Sequence, residues 1–370
     1  MPMKSSPTFS AKGIAFGLLL SALVPAVMAA ATFPALERPA VQVRAPERSV
    51  LQAAVMAGTR VVAVGERGIV LLSDDGGLHW RQARVVPVST TLTAVRFVDA
   101  KLGWAVGHGG VILHSNDGGE TWARQADGRM LSKIALDAAQ QRADAAPGDA
   151  AAAHQFKSAQ LLVGDGPDKP LLDLHFFDAR RGFVVGAYNL FFETTDGGAT
   201  WTSAMDRLEN PKSLHLYAIR AQGASVYVVG EQGLMQRSQD GGRSFQPLAS
   251  PYNGSWFSFV AMRNGALVAA GLRGNAYYSP DQGKTWSRIE GAAPVSFVSA
   301  VELASNTVLL TNQAGQLLTS GAGEPFSNLG MPSLPPLSDV LPLPGGGLLA
   351  VGMAGAIRLP SSANAPSGTK

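Results

Sequence analysis

Hydrophobic residues recur along the chain in short alternating runs that are separated by glycine-rich turns. In residues 93–97 (TAVRF) apolar and polar side chains alternate with the period of two that predicts a β-strand. Similar runs lead into a small apolar segment, a Gly-x-x-Gly turn, another alternating run and a Ser-x-Asp-x-Gly-x-Thr-Trp box. The pattern predicts a unit of four short strands that is repeated along the chain.

Seven copies of this unit can be aligned. Five carry a complete box, the sixth is degraded, and the seventh stops before the box. The aspartates of the complete boxes are separated by 42, 79, 44 and 41 residues, and the long step contains one insertion. The sequence therefore predicts an all-β fold, a seven-bladed β-propeller of four-stranded blades, over residues 40–360. The alignment starts at Val62, Trp104, Phe183, Tyr227, Leu267, Leu309 and Leu349.

The seventh unit poses the question of how the ring closes. Residues 337–359 supply an inner, a second and a third strand, but no outer strand follows them. We expect residues 41–44, ahead of the first unit, to complete this blade, because closure removes the exposed edge of an open array. Residues 361–370 are predicted to be a disordered tail.

The recurring boxes are predicted to build turns and not a catalytic site. An Asp side chain can accept hydrogen bonds from the backbone of a tight turn, and the aromatic residue can pack between blades. Because the boxes recur once per blade around a ring, their carboxylates cannot converge on one substrate. The residues with this predicted structural role are Asp75, Asp117, Asp196, Asp240, Asp281, Trp80, Trp122, Trp201, Phe245 and Trp286.

The turns between the second and third strands differ from blade to blade, unlike the boxes. In a propeller they lie on the face opposite the box turns, so we expect this variable face to contact a partner. A solvated turn without function is the alternative for each of these residues taken singly. The residues predicted to form the partner-binding face are Arg67, His108, Tyr188, Glu231 and Arg273.

Residues 126–166 interrupt the repeat between blades two and three. Residues 129–145 have helix-forming composition with apolar side chains on one face, and Pro147-Gly148 ends the run. Asp149 is placed to cap a second helix. The segment is predicted to form a helical hairpin on the same face as the variable turns, the alternative being an irregular Ala-rich loop.

The start of the chain has the order of a secretory signal. A basic beginning, an apolar run over residues 13–24 and a group of small residues follow one another, and cleavage after Ala29 or Ala31 fits the small-x-small rule. This predicts a signal peptide over residues 1–29 and an exported, periplasmic protein that is soluble after cleavage. An uncleaved membrane anchor is the alternative.

Composition excludes several kinds of chemistry. The chain has 370 residues, a formal net charge of +3 and no cysteine, so disulfides, thiolate metal sites and cysteine-linked lipid are all excluded. Its six histidines show no ligand spacing, so neither a metal nor a cofactor is predicted. No basic run is interleaved with aromatic residues, so no nucleic-acid partner is expected. On its own the protein is expected to be a monomer.

The repeat resembles that of one known family. The segment Trp104-Ala105-Val106-Gly107, then Gly110-Val111-Ile112 and a Ser-x-Asp-Gly-Gly-x-Thr-Trp box, is similar to the photosystem II stability and assembly factor family of BNR-repeat propellers. The resemblance covers about residues 50–360. It implies a non-enzymatic propeller that helps a membrane protein complex to assemble through an arginine-rich face, for which Arg67 and Arg273 are the candidates here. Related bacterial proteins imply a transporter of the resistance-nodulation-division type as a candidate partner.

A sialidase-like glycoside hydrolase, or a glycan-binding propeller, is the competing interpretation. Sialidase chemistry needs three arginines around a carboxylate, a tyrosine paired with a glutamate, and an acid/base residue. The predicted inner strands carry polar residues in blades three and four, but these do not make a complete set. The sequence therefore favours a docking scaffold without catalytic activity. Those inner-strand residues are Lys169, Asp173, His175, His215 and Tyr217.

Overall fold

Each repeat forms one antiparallel sheet in the computed structural model of the protein. The structure describes residues 1–2, 33–303, 306–331 and 333–360. The predicted tail, and the predicted signal peptide beyond its first two residues, lie outside this described part. The chain divides into the units Met1–Thr32 and Phe33–Lys370, and the fold below is that of the second unit.

The first three blades are four-stranded and are each built in the order inner, second, third and outer strand. Blade one contains β1 (Leu51–Ala57), β2 (Arg60–Gly65), β3 (Val70–Ser73) and β4 (Arg81–Gln82). Blade two contains β5 (Leu92–Phe97), β6 (Gly103–Gly107), β7 (Ile112–Ser115) and β8 (Ala123–Ala126). Blade three contains β9 (Leu171–Phe176), β10 (Gly182–Gly186), β11 (Phe191–Thr194) and β12 (Thr202–Ser203).

The next three blades repeat this order, and the seventh ends after its third strand. Blade four contains β13 (Leu216–Gln222), β14 (Ser225–Gly230), β15 (Met235–Ser238) and β16 (Gln246–Pro247). Blade five contains β17 (Trp256–Ala261), β18 (Leu267–Gly271), β19 (Ala276–Ser279) and β20 (Ser287–Arg288). Blade six contains β21 (Phe297–Glu302), β22 (Thr307–Asn312), β23 (Leu317–Gly321) and β24 (Ser327–Asn328). Blade seven contains β25 (Leu337–Pro342), β26 (Leu348–Gly352) and β27 (Gly355–Leu359).

The predicted seven-bladed propeller is confirmed. Each inner strand contacts the inner strand of the next blade, and β25 contacts β1, so the ring is closed. The second strands β6 and β10 are buried along their whole length. The sequences of these two strands are almost entirely apolar because both faces of each strand pack against neighbouring blades.

The prediction that residues 41–44 complete blade seven was wrong. This segment lies along blade one, where the side chain of Gln42 donates to Ala83 O at 2.9 Å and Gln82 donates to Val41 O at 2.9 Å. The segment makes side-chain bonds and no backbone ladder. Blade seven therefore keeps three strands.

Residues 33–48 form an N-terminal strap that crosses three blades. The short helix α1 (Pro34–Glu37) lies beside blade two, and Leu36 is buried there with an exposed fraction of 1%. Ala40 donates from its backbone to Val86 O at 3.0 Å. The turn Pro46–Arg48 then contacts β27 of blade seven before the chain enters β1. Closure is thus reinforced by a strap and not by an added strand.

The predicted helical hairpin is confirmed as α2 (Gly128–Ala145) and α3 (Ala150–Asp165), which pack against each other between blades two and three. Asp127 caps α2 by accepting from two backbone N–H groups, and Asp149 caps α3 in the same way through one. The helix α2 also packs against β12. Neither these two helices nor any other in the described ranges is long and apolar enough to cross a membrane.

Candidate functional site: the rim and mouth of the central channel

One face of the ring is formed by five nearly identical Asp-box turns. In each, the aspartate accepts a hydroxyl hydrogen bond from the residue two before it, at 2.7–2.9 Å. It also accepts the backbone N–H four residues after it, at 2.8–3.0 Å. Hydrogen bonds from Thr200 lower the pKa of Asp196 to about 2. These carboxylates are occupied in closing the turns.

The aromatic residues of the boxes pack at the starts of the outer strands. Trp122, Trp201 and Phe245 are buried, whereas Trp80 and Trp286 are half-buried. Trp122 also donates from Nε1 to Gly119 O at 2.9 Å, which ties the indole to its own turn. The aspartate bonds therefore repeat from box to box, whereas the burial and hydrogen bonding of the aromatic residues differ.

The opposite face is bordered by the seven turns between second and third strands. The first N–H of each turn donates to the carbonyl of the residue just before the inner strand, at 2.9–3.1 Å. The turns therefore form the rim of the channel mouth, because the inner strands line the channel. Two of these rim turns begin at Gln313 and Met353, and the other five are the single-turn helices Glu66–Gly68, His108–Gly110, Ala187–Asn189, Glu231–Gly233 and Leu272–Gly274.

Four of these rim turns hold a side chain in a backbone conformation that usually favours glycine. The middle residues Arg67, Tyr188, Gln232 and Arg273 have φ between 52° and 56°, and all four are exposed. Non-glycine residues in this region carry some strain and are often found where a side chain must be presented. The structure thus places Arg67, Tyr188 and Arg273 at equivalent, outward positions of one rim.

The other two predicted contact residues occupy the first positions of their turns. His108 is exposed, and Glu231 is half-buried with its carboxylate accepting from the backbone of His215 at 3.2 Å. All five predicted residues lie on the rim. Their role in partner binding stays a prediction.

The channel mouth is lined by bulges that recur in every blade. Each inner strand has a register irregularity after its first residue. Such bulges redirect a side chain, and all seven bulge residues line a cavity of about 650 Å³ in the channel. Aromatic side chains occur at this position in blades four and five only. The bulge residues are Gln52, Thr93, Leu172, Tyr217, Phe257, Val298 and Ser338.

Aromatic rings form a path from the rim into this cavity. The ring centroids of Tyr188 and His215 are 4.7 Å apart, those of His215 and Tyr217 are 6.2 Å apart, and those of Tyr217 and Phe257 are 5.0 Å apart. Tyr188 is 47% exposed, and the other three rings are half-buried. We call Tyr188, His215, Tyr217 and Phe257 the aromatic path.

Charged groups border the outer end of the aromatic path. The Lys169 ammonium lies 5.2 Å from the Tyr188 ring centroid. The backbone N–H of Tyr188 donates to His215 Nδ1 at 3.2 Å, so the proton of the neutral ring is on Nε2. Glu231 Oε2, 3.7 Å from the same Nδ1, therefore makes no hydrogen bond to it in this state. Lys169 Nζ also donates to Asp168 Oδ1 at 2.7 Å and lies 3.1 Å from Asp165 Oδ2, so the outer end presents two rings and the Glu231 carboxylate beside a cation that is already paired.

Deeper in the channel, two arginines meet one buried aspartate. Asp173 Oδ1 lies 3.3 Å from Arg96 Nη2, and Asp173 Oδ2 accepts from Arg220 Nη1 and from the backbone N–H of Ile219. Burial opposes ionisation of Asp173, but the charges of Arg220 and Arg96 outweigh it and hold its pKa below the usual range. Burial, aided by the charges of Arg220 and Arg96, lowers the pKa of His175 to about 4. His175 is therefore neutral near pH 7.

The residues present do not match a sialidase site. Among the described residues the cavity wall carries two arginines, Arg96 and Arg220, where a sialidase needs three, and burial and then the charge of Glu231 raise the pKa of Tyr217. A tyrosine nucleophile needs the opposite shift. Within the described ranges, no group of three His, Asp or Glu residues is arranged to hold a metal ion.

Sequence reasoning singled out Asp173, His175, His215 and Tyr217 but not their partners. It missed Arg96, Arg220 and Phe257, which complete the channel wall. Aligning the inner strands would have placed Phe257 beside Tyr217, because both are the second residue of their strands. No local signal indicates that Arg96 and Arg220 meet at Asp173.

The closed ring of Asp-box blades, with a variable rim around a lined channel, defines a β-propeller of the BNR-repeat class. Within that class, the sequence profile described as photosynthesis system II assembly factor YCF48 matches residues 37–133 and 150–293. The chain belongs to this family, as its repeat predicted. The match leaves out residues 134–149, which lie within the helical hairpin.

Individual relatives agree with this placement. The photosystem II assembly lipoprotein Ycf48 of Synechococcus sp. (strain CC9902) is 30% identical over 117 residues, 31% of this chain and 35% of that protein. The chloroplastic photosystem II stability/assembly factor HCF136 of Arabidopsis thaliana is 25% identical over 126 residues, 32% of this chain and 31% of that protein. These matches span about a third of each relative.

Solved structures agree in fold over most of the chain. One described as YCF48 bound to D1 peptide has a TM-score of 0.61 and 17% identity, and it covers 86% of this chain and 95% of that one. The structure of YCF48 from Cyanidioschyzon merolae also has a TM-score of 0.61, with 13% identity, and the match covers 86% of this chain and 98% of that one. At these identities the likeness establishes the fold alone.

Proposed function

We propose that this protein is a non-catalytic docking scaffold that binds a membrane protein complex at the rim and assists its assembly or activity. The observation that carries the proposal is the aromatic path, which leads from exposed Tyr188 into the channel mouth. Membership of a family of assembly factors supports it. So does a solved relative bound to a D1 peptide.

The physical argument rests on how protein contacts gain their energy. Tyrosine and arginine dominate binding energy at interfaces, since they bury a large area with few rotatable bonds or make bidentate contacts. The rim presents Arg67, Tyr188 and Arg273 from turns of fixed geometry. A rigid surface loses little conformational entropy on binding. The rim therefore suits a segment that carries acidic and apolar side chains.

The place of action is proposed to be outside the cytoplasm. The predicted signal peptide directs the chain to the periplasm or an equivalent compartment, where the rim can meet the exposed parts of a membrane complex. In a photosynthetic organism the complex is photosystem II. In another bacterium, a transporter of the resistance-nodulation-division type is the proposed partner.

Charge reversal on the rim tests this function. The double variant Arg67→Glu, Arg273→Glu and the single variant Tyr188→Ala should each lower recovery of the membrane complex in a quantitative pull-down from solubilised membranes. Recovery by the unchanged protein should also weaken with added salt, because rim charges act over about a Debye length.

The matched control reverses two exposed charges on the box face. Arg243→Glu with Lys284→Glu changes the net charge by the same amount, on turns that follow Asp240 and Asp281. Recovery should be unaffected by this pair. If the control pair abolishes recovery and the rim variants do not, the docking surface is on the box face and the proposal fails.

A further inference from the structure

The channel holds a pair of arginines from two different blades. Arg96 comes from β5 of blade two and Arg220 from β13 of blade four, and both reach Asp173 on β9 of blade three. The Asp173 side chain is only 5% exposed, and the backbone N–H of Ile219 donates to it at 3.0 Å. Asp173 thus fixes two guanidinium groups next to each other on one wall of the cavity.

Both guanidinium groups have N–H donors that are not used in hydrogen bonds within the described part of the protein. Their hydrogen bonds go to Asp173 and to the backbone carbonyls of Val95 and Ile219, through Nη1 and Nη2 of Arg96 and Nη1 of Arg220. Among the described residues, Nε of Arg96 and Nε and Nη2 of Arg220 have no hydrogen-bond partner. The two side chains are 29% and 28% exposed and line the cavity of about 650 Å³. A guanidinium has five N–H donors, so the wall can still bind an acceptor.

The charge at this wall favours an anion. Two guanidinium groups face one aspartate, and a concave site focuses the resulting field. Asp339, the other acidic residue of the cavity wall, already accepts from Ser299 Oγ at 2.6 Å and from the backbone N–H of Ala54 at 3.1 Å. Burial raises the pKa of Asp339, so it opposes an anion less than an exposed aspartate would.

We propose that the channel binds a carboxylate-bearing ligand, held by Arg96 and Arg220 with Tyr217 and Phe257 against its apolar part. The planar fork of a guanidinium matches a carboxylate in two parallel hydrogen bonds. The cavity volume is within the range of small-molecule sites. The carboxylate belongs either to a small free acid or to the end of a peptide chain. The site goes beyond rim docking, because it needs no membrane complex.

Calorimetric titration of the full chain tests the site. The probes are acetate, succinate, and a tetra-alanine peptide with a free or an amidated C-terminus, each at millimolar concentration. If succinate or acetate gives a heat of binding, the ligand is a free acid. If the peptide with a free C-terminus gives a heat of binding and its amide does not, the ligand is the end of a peptide chain. Either result supports the proposal, whereas equal binding of peptide and amide without binding of the small acids overturns it, as does binding of none.

Arg96→Gln is the decisive variant. Asp173 keeps Arg220 and Ile219 as partners, so the fold should persist, which a melting curve checks. Affinity for the carboxylate probe should fall about tenfold or more, since the charge and the free Nε donor of Arg96 are lost. The control Arg243→Gln, on the box face, should leave affinity unchanged.

A second variant keeps the test decisive if Arg96→Gln fails to fold. Arg96→Lys retains the charge and the reach toward Asp173 but lacks the free Nε donor, so weaker binding with normal melting supports recognition by the guanidinium group. Unchanged affinity in the folded Arg96 variants overturns the proposal. Rim docking is measured separately with Arg67→Glu, Arg273→Glu, so failure of one function is distinguishable from failure of the other.

Discussion

The carboxylate of Asp117 holds Thr121 by two hydrogen bonds, one from its backbone N–H at 3.0 Å and one from its hydroxyl at 2.6 Å. A third comes from the hydroxyl of Ser115 at 2.9 Å. The same three hydrogen bonds recur in the other box turns that have Ser or Thr four residues after the aspartate. A single side chain therefore closes the turn between the third and outer strands.

Replacing Asp117 by alanine should lower the free energy of unfolding by about 1–3 kcal/mol, since the donors of Ser115 and Thr121 lose a shared acceptor. The folded fraction should bind the carboxylate probe and the membrane complex as the unchanged protein does, because the box lies on the face opposite the rim. Denaturant unfolding measures the first effect. The control Asp137→Ala removes an exposed aspartate of α2 that makes no described hydrogen bond and should be neutral. Lost binding at unchanged stability would contradict this structural role.

The N-terminal strap should stabilise the ring although it adds no strand. Leu36→Ala removes a buried side chain beside blade two and should lower the melting temperature, as large-to-small substitutions in cores do. Deleting residues 33–44 should lower it further. Val41 is 70% exposed on the same strap, so Val41→Ala is the matched control and should melt as the unchanged protein. Identical melting of the deletion variant would show that the strap does not contribute.

Half-buried His175 should make the free energy of unfolding depend on pH in the mildly acidic range. Its folded pKa is about 4 against an ordinary value of 6.5, so the unfolded chain takes up the proton first as pH falls. The contribution of His175 is therefore present above pH 6.5 and declines as pH falls to about 4. Urea unfolding of the protein and of His175→Gln across this window should show a difference in the free energy of unfolding that changes with pH. If the difference in the free energy of unfolding is independent of pH, the depressed pKa of His175 is contradicted.

The protein should not hydrolyse sialosides or other glycosides. The described part of the cavity wall carries two arginines, Arg96 and Arg220, where a sialidase needs three, and the raised pKa of Tyr217 keeps its hydroxyl protonated. A fluorogenic glycoside assay should give no turnover above buffer. Turnover that Tyr217→Phe or Asp173→Asn abolishes would instead establish an enzyme, provided that the box-face control Arg243→Gln retains it.

Much of the fold could be predicted because its signals are local. The box residues Ser115, Asp117 and Thr121 bond to one another within seven residues of chain, so the turn can be recognised from its sequence alone. The same holds for Asp127 and Asp149, which cap the two helices of the hairpin through neighbouring N–H groups. The rim positions followed from the place of each turn in its repeat.

The position of the strap could not be predicted in the same way. Residues 41–44 are compatible with a strand in any blade that lacks one, and their partners Gln82 and Ala83 are about forty positions away. Side-chain amides, not a backbone pattern, decide the outcome. Only the packed structure shows that blade one, and not blade seven, receives the segment.

The sequence by itself determined the number of blades, the box turns, the hairpin and the face that varies, since each depends on residues close together in the chain. The tertiary structure alone decided the channel wall. Arg96 and Arg220 lie 77 and 47 positions from Asp173, and the closed ring is what brings them together. Their meeting depends on long-range packing of inner strands, for which no short pattern in the sequence exists.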